Sequence, residues 1–351
     1  MSADLPPDHR GNRRRSVWHF LAALGLIATM AAVVAIQLFG DRWWPTIPLL
    51  YGPRWLLAAL PALTLPLVLR APRSAIMVAI VAFSAFALGV LDVRTGAVPF
   101  SAVGDRSVRV VEFNMGGSAA DRAALAQELG AVTADAAFLV ECPAAAGREI
   151  ASRLGWNVET TGALCLLSPH PIREWAARDQ MEFWRRNGSG AVARAELLSD
   201  VGTLRVGIVH LATPRDALEM MRDLSEIPSK GPMMNANRRL RDDESRAARA
   251  WIGGPGETAI IAGDFNLPVE SAIYRRHWGD FTNAFSSKGT GLGHTKLTRW
   301  FGVRIDHILT GDGVRAVRTT LGPHLGSDHR ILVADLIVGR RLSEPPAPDT
   351  R

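Results

Sequence analysis

The chain has 351 residues, 48% of them apolar and 21% charged, with a formal net charge of +6 and two cysteines. That length and apolar fraction suit one large domain with an additional element, or two ordinary domains. The basic excess is uneven: nine Arg face four acidic residues up to Pro99, whereas the remainder holds 31 basic against 30 acidic residues, so the larger part lacks the broad positive field of a protein that grips a polyphosphate backbone.

Residues 1–16 form a basic amino terminus carrying Arg10, Arg13, Arg14 and Arg15. Val17–Phe39 follows, about 23 residues without a formal charge, longer than the roughly 20 needed to cross a bilayer. A cleavable signal sequence is the competing reading, but its apolar core is usually only about 7 to 15 residues long. Apolar stretches at 47–69, interrupted by Arg54, and 75–93, charged near its end at Asp92, complete an expected set of three transmembrane helices. Basic residues stay cytoplasmic, and they precede the first span and, as Arg70 and Arg73, separate the second from the third. An odd number of crossings then places everything after Val93 outside the cytoplasm, beyond a linker at 94–106.

From Ser107 the pattern changes to short β-rich runs between helical stretches, with no fixed repeat. Strands are predicted at 108–113, 136–140, 163–167, 191–198, 204–211, 258–262, 305–309 and 331–338, and helices at 121–129, 144–154 and 242–252. So many strands with few helices predict an α/β fold of two packed sheets flanked by helices over residues 107–340. The tail, 341–351, is rich in proline and reads as disordered. Cys142 and Cys165 lie on or beside predicted strands; two small buried hydrophobes are favoured over a disulfide.

Several strands end in a residue able to hold a metal or a phosphate: Asn114, Glu141, His210, Asp264 with Asn266, Asp306 with His307, and Asp328 with His329. Any one of these alone reads as a cap or a solvated loop residue. Together they imply a shared site, because converging carboxylates repel unless a cation or proton sits between them. Oxygen donors without cysteine favour Mg²⁺ or Mn²⁺ over zinc.

The ordered set Phe113-Asn114, Glu141, His210, Gly263-Asp264-Phe265-Asn266, Arg304-Ile305-Asp306-His307-Ile308-Leu309 and Gly326-Ser327-Asp328-His329 resembles the endonuclease/exonuclease/phosphatase superfamily, of DNase I-like fold, over roughly Ser107 to Val338. The resemblance implies a four-layer α/β sandwich with its site at the open edge of the sheets. It implies Glu141 as principal metal ligand, supported by Asn114, with Asp328 on the metal side. By the same resemblance Asp264 orients and deprotonates the attacking water, Asn266 holds a phosphate oxygen, His329 paired with Asp306 stabilises charge growing on the phosphate, and His210 contacts the phosphate or assists the leaving group. His307 alternates away from Asp306 and reads as structural. The sequence departs from the family pattern at Gly116, Val140 and Lys296, where a second Asn, a Gln and a Trp are common.

Members of that superfamily cut many phosphoesters, so the fold does not choose a substrate. Membrane-tethered bacterial members of the teicoplanin-resistance type have a similar arrangement, which implies a bacterial-type plasma membrane and a catalytic domain facing outward. Tether, near-neutral domain charge and the pairs Met220-Met221 and Met233-Met234 favour a lipid-linked or cell-envelope phosphate or pyrophosphate, with the bilayer as partner. A nuclease acting on DNA or RNA is the second reading, and a non-catalytic binding module the third. Arg185, Arg186, Arg238, Arg239 and Lys296 are candidate phosphate contacts, with Arg186, Arg239 and Lys296 foremost.

Overall fold

The computed structural model describes residues 9–68, 73–96, 107–219 and 227–339. Linker residues 97–106, Met220 with Met221, and the tail from 340 lie outside them, as does the start of the basic amino terminus. The chain divides into two compact units, Met1–Val93 and Arg94–Arg351.

In the first unit, helix α1 (His9–Val34) continues through one π-turn, Ala35–Phe39. Val17–Phe39 is the one described helix long and apolar enough to cross a membrane. The expected second span is not a single helix. Gly52 and Pro53 end α2 (Ile47–Tyr51), a 3₁₀ segment runs Arg54–Ala58, and α3 (Ala59–Val68) follows. Proline cannot donate to the preceding turn, and the carbonyls it frees need other donors. Arg54 serves the end of α2, Nε and Nη2 donating to Leu50 O at 3.1 and 2.8 Å, and its Nη1 donates to Val90 O at 2.9 Å. The third expected span is α4 (Arg73–Gly89), whose apolar part, Ile76–Gly89, is too short to count as a crossing.

The second unit opens with β1 (Arg94–Thr95) and is built on two six-stranded sheets. The first contains β2 (Ser107–Asn114), β3 (Ala136–Val140), β4 (Asn157–Thr161), β5 (Leu164–Ser168), β15 (Val314–Leu321) and β16 (Leu332–Val338), in the order β15-β16-β2-β3-β5-β4. The second contains β6 (Ile172–Ala177), β7 (Ala191–Ser199), β8 (Gly202–His210), β9 (Ile260–Asp264), β10 (Thr282–Asn283) and β14 (Asp306–Thr310), in the order β10-β14-β9-β8-β7-β6. Two ribbons complete the β-structure: β1 pairs with β11 (Thr290–Gly291), and β12 (Lys296–Leu297) with β13 (Gly302–Val303).

Period-two alternation explains the layering. Val108, Val110, Phe138 and Leu166 of one sheet meet Val206, Ile208, Ile260, Ala262 and Ile308 of the other in the central core. The opposite face of the first sheet, with Val111, Phe113 and Leu139, is covered by α5 (Arg122–Ala131) and α6 (Ala144–Leu154). Asp121 caps α5, its carboxylate accepting the N–H groups of Ala123 and Ala124. On the second sheet, Val209, Ile261 and Leu309 pack with α9 (Ile227–Ile252) and α10 (Ala272–His277). Short helices α7 (Met181–Trp184), α8 (Arg215–Glu219) and α11 (Ala284–Lys288) fill connections. The result is the pair of packed sheets flanked by helices that the strand pattern predicts, and the four-layer α/β sandwich that the resemblance implies.

Sequence reading misses β4, β6 and β15, whose charged or threonine-rich faces blur the apolar signal. The cysteine reading is corrected: Cys142 and Cys165 form a disulfide across a sequence separation of 23. Antiparallel pairing explains how they meet, since the register of β3 against β5 sets Leu139 opposite Cys165 and Val140 opposite Leu164, leaving Cys142 just past the strand end. Closing a loop of that length removes entropy from the unfolded chain worth about 3 kcal/mol. The double variant Cys142→Ser/Cys165→Ser is expected to lose about that much in denaturant unfolding; unchanged stability would contradict the bond.

Candidate active site

Five strand ends and one loop converge at the edge of the sandwich. β2 ends at Asn114, β3 at Val140 just before Glu141, β8 at His210 and β9 at Asp264, while β14 begins at Asp306. Register does the positioning: His210 stands opposite Asp264 in the parallel pair, and Asp264 opposite Asp306 in the antiparallel one. All three alternate with residues of the central core and point between the sheets. Gly263 is required here, for a Cβ would lie 1.9 Å from Val209 O, and its φ of +145° is one that side chains rarely adopt. Glu141 and Asn266 both sit at positive φ, +47° and +51°. For Glu141 that left-handed backbone costs about 1 kcal/mol, strain of the kind that collects at functional sites.

The polar contacts form one network. Asn114 Nδ2 donates to Glu141 Oε1 and to Asp264 Oδ2, both at 3.1 Å. The Asn266 N–H donates to Asp264 Oδ1 at 2.8 Å, and Asn266 Nδ2 to Leu211 O at 2.8 Å. His329 Nδ1 lies 3.0 and 2.9 Å from the two oxygens of Asp306, and its Nε2 lies 3.9 Å from Asp264. With Nδ1–H donating to Asp306, Nε2 faces the Lys296 ammonium at 2.9 Å. Lys296 also bonds Asp328 Oδ2 at 2.6 Å, and His210 Nε2 stands 3.6 Å from Glu141. Ser327 ties the loop down, donating to Asn114 O and accepting the His329 N–H.

Electrostatics follow from burial. Burial, then the neighbouring Asp306, push the Asp264 carboxyl up to about 7, against the opposing pull of His329 and the Asn266 N–H. Burial also disfavours the charge on Asp306, but the His329 charge and the hydrogen bonds from His329 and Thr295 outweigh it and hold its pKa down. For His329 burial opposes protonation, and Asp306 and Asp264 overcome it, raising the pKa. Burial lowers His210.

Glu141, His210, Asp264, Asn266, Lys296 and His329 line one open cleft of about 210 Å³, with Arg215 and Asn187–Ser189. Asp306 and Asn114 stand behind it, and Asp328 is tied to Lys296. Of the candidate phosphate contacts, Lys296 joins the cleft. Arg186 pairs with Asp243 at 2.9 Å, and exposed Arg239 does not line the cleft either. His307 is turned to the other face: its Nε2 meets Leu267 O at 2.7 Å, and burial, with Arg304, lowers it to about 4.

Four groups were not visible as site residues in the sequence. Buried Arg241 donates to Asn266 O at 2.6 Å, and buried Glu244 accepts the Ala212 N–H at 2.6 Å and those of Gly190 and Ser189. The available signal was spacing, since Arg241 and Glu244 share the helix face of Ala248 and Ile252. Arg215 carried no signal beyond its charge.

The fourth unexpected group is Glu112, on the inter-sheet face of β2 two residues before Asn114. It is fully buried, and neither carboxylate oxygen has a hydrogen-bond partner among the described residues. Burial, then Asp306 and Asp264, raise it well above its ordinary 4.5. The folded chain therefore keeps a proton that the unfolded chain releases, and stability present below about pH 4.5 is lost as pH rises towards the folded pKa. Glu112→Gln, compared with the parent in EDTA, is expected to gain stability relative to it as pH rises above that point. A pH-independent difference would refute this.

Metal-ligating chemistry fits the donors present. Asp264, Asp306 and His329 have ligand atoms within 4.8 Å of one another, but Asp306 and His329 are already bonded together. Glu141 is the open oxygen donor: its side chain is 41% exposed at the cleft, with the Asn114 amide behind it. A divalent cation there would relieve the repulsion among Glu141, Asp264 and Asp306.

The model of the endonuclease/exonuclease/phosphatase family matches residues 111–329, and the chain belongs to that family. It is accordingly a hydrolase acting on phosphate ester bonds, in a family generally dependent on divalent metals. Among solved structures it is similar to humanized D. rerio TDP2 (17% identity, 66% of this chain and 99% of that one, TM-score 0.49). It is also similar to an endonuclease/exonuclease/phosphatase from Beutenbergia cavernae (15%, 67% and 72%, 0.49) and to the human Nocturnin catalytic domain (15%, 66% and 95%, 0.47). No curated protein matches the chain.

Proposed function

We propose that the chain is a membrane-anchored, Mg²⁺- or Mn²⁺-dependent hydrolase that removes or splits a lipid-linked or cell-envelope phosphate or pyrophosphate on the extracytoplasmic side. The observation that carries the reading is the Asp264-centred cleft. Asp264, with a pKa near 7, is matched to taking a proton from water near neutral pH. Asn266, held by Leu211 and Arg241, and Lys296 offer donors to the non-bridging phosphate oxygens. His329, steadied by Asp306, donates from Nε2 when its ring is protonated, where negative charge grows, and His210 contacts the phosphate or assists departure of the leaving group. Glu141 and Asn114 would hold the metal, with Asp328 contributing charge on that flank. A bound divalent cation supplies charge neutralisation on the phosphoryl group.

Size and setting support the substrate class. A cleft of about 210 Å³ has room for a single phosphoryl or pyrophosphoryl group, and Val17–Phe39 is long and apolar enough to serve as an anchor. One crossing or three puts the catalytic unit outside, two would reverse it, and the Cys142–Cys165 disulfide agrees with the outward placement in an oxidising compartment. Purified protein should be assayed with Mg²⁺ or Mn²⁺ against isoprenyl pyrophosphate, phospholipid and DNA in parallel. Metal-dependent release from a lipid-linked phosphate is the expected result, and hydrolysis of DNA alone would overturn the substrate class. A reporter fused after Pro99 should give an extracytoplasmic signal, and a cytoplasmic one would sink the topology.

A further inference from the structure

Large apolar side chains are exposed at only five places in the described part of the catalytic unit: Met181, Trp184, Met233, Leu292 and Trp300. The two tryptophans are the most exposed, at 63% and 71%. Exposure of an indole to water forfeits much of what its large apolar surface can contribute, and isolated apolar residues on a surface are ordinary. Their placement is not scattered. Trp184 ends α7, and the chain runs from it straight into Asn187–Ser189, which line the active-site cleft. Trp300 lies at the turn of the β12–β13 ribbon, whose Lys296 lines the same cleft. Met233 is on the α9 turn before Asn237, whose amide bonds Thr213 O at 3.2 Å, and Thr213 also lines the cleft.

Each tryptophan has an exposed arginine beside it. Arg185 follows Trp184, and the Arg299 guanidinium stacks 5.1 Å from the Trp300 ring centroid. An indole with an adjacent cation is the pairing that settles at the level of lipid headgroups, the ring at the acyl boundary and the charge on phosphate. α7 is anchored from below through buried Phe183, against Ala212 and Leu240, leaving Trp184 outward.

We propose that the rim of the cleft is a bilayer-docking surface, in which Trp184 and Trp300 enter the interfacial zone and Arg185 and Arg299 take anionic headgroups, so that a phosphate at the membrane surface is delivered into the cleft. The inference rests on the reading that the substrate is lipid-linked and deepens it. The occupant is the lipid surface rather than a protein, because one bank stacks a guanidinium on its indole and the other sets an exposed arginine next to its indole, both at the rim of a phosphate-handling site.

The test uses the full chain in proteoliposomes, of phosphatidylcholine alone or mixed with phosphatidylglycerol. With both native cysteines in the disulfide, a single introduced thiol carries an environment-sensitive fluorophore, placed by Thr298→Cys at the ribbon turn. Thr203→Cys, near the start of β8 and so at the opposite end of the strand from His210, is the control. Spin-labelled lipid is expected to quench the probe at 298 and not at 203, more strongly with phosphatidylglycerol. Adding Trp184→Ala/Trp300→Ala is expected to abolish that quench while turnover of a water-soluble phosphodiester changes less than twofold. Equal quenching at 298 and 203, or a quench indifferent to the tryptophans, would overturn the docking surface. Quenching at 298 without hydrolysis of any vesicle-borne phosphate would leave docking in place and reject the lipid-linked substrate, so the two failures are distinguishable.

Discussion

Asp264→Asn is expected to lower kcat/KM for a phosphodiester by about 10³-fold or more, since it removes the general base and its placement of water. The fold should survive the change. An amide oxygen still accepts the Asn266 N–H, now made to Asp264 Oδ1 at 2.8 Å, and the buried repulsion with Asp306 that raises the Asp264 pKa disappears. A melting temperature equal to or above that of the parent, beside collapsed turnover of bis(p-nitrophenyl) phosphate, is the expected pair of results. Turnover within tenfold of the parent would assign the base elsewhere.

Removal of divalent metal has the second large effect. EDTA is expected to reduce turnover by about 10³-fold, with recovery on adding Mg²⁺ or Mn²⁺, because the cation neutralises the phosphoryl oxygens. Glu141→Gln should shift the Mg²⁺ requirement upward by about 100-fold, since an amide replaces the charged donor while keeping its shape. Glu141 is suited to the role by position: it leaves β3 at a φ of +47°, which turns its carboxylate into the cleft beside Asn114. Activity indifferent to EDTA, or an unchanged Mg²⁺ requirement in the variant, would remove Glu141 from the metal site.

How far the sequence disclosed this site depends on which residues carry it. The residues that touch the cleft were legible because β-strand alternation and strand ends leave a mark: a polar group closing an apolar run at Asn114, Glu141, His210 and Asp264 has few structural reasons to be there. Arg241 and Glu244 act from a helix against loop carbonyls and amides, contacts that depend on tertiary packing and leave only a charged residue on an apolar helix face. Glu112 lies inside the strand predicted at 108–113 with no mark of its own, and its burial follows from the contact of one sheet with the other. Arg186 and Arg239 were chosen on charge alone, and charge does not fix direction: one is spent on Asp243, the other faces solvent. The disulfide required the antiparallel register of β3 and β5, which sequence spacing does not supply. Among the described residues one helix, Val17–Phe39, reaches membrane length where composition led to an expectation of three, since Gly52 and Pro53 interrupt the second segment and α4 is short.

The most direct test of the central claim is hydrolysis of a phosphodiester by the purified full-length chain in H₂¹⁸O, with and without Mg²⁺, alongside Asp264→Asn. Metal-dependent turnover that places ¹⁸O in the phosphate product and is lost in the variant is the predicted result. No turnover with any divalent metal, or label incorporation equal in parent and variant, would contradict a hydrolytic site built on Asp264.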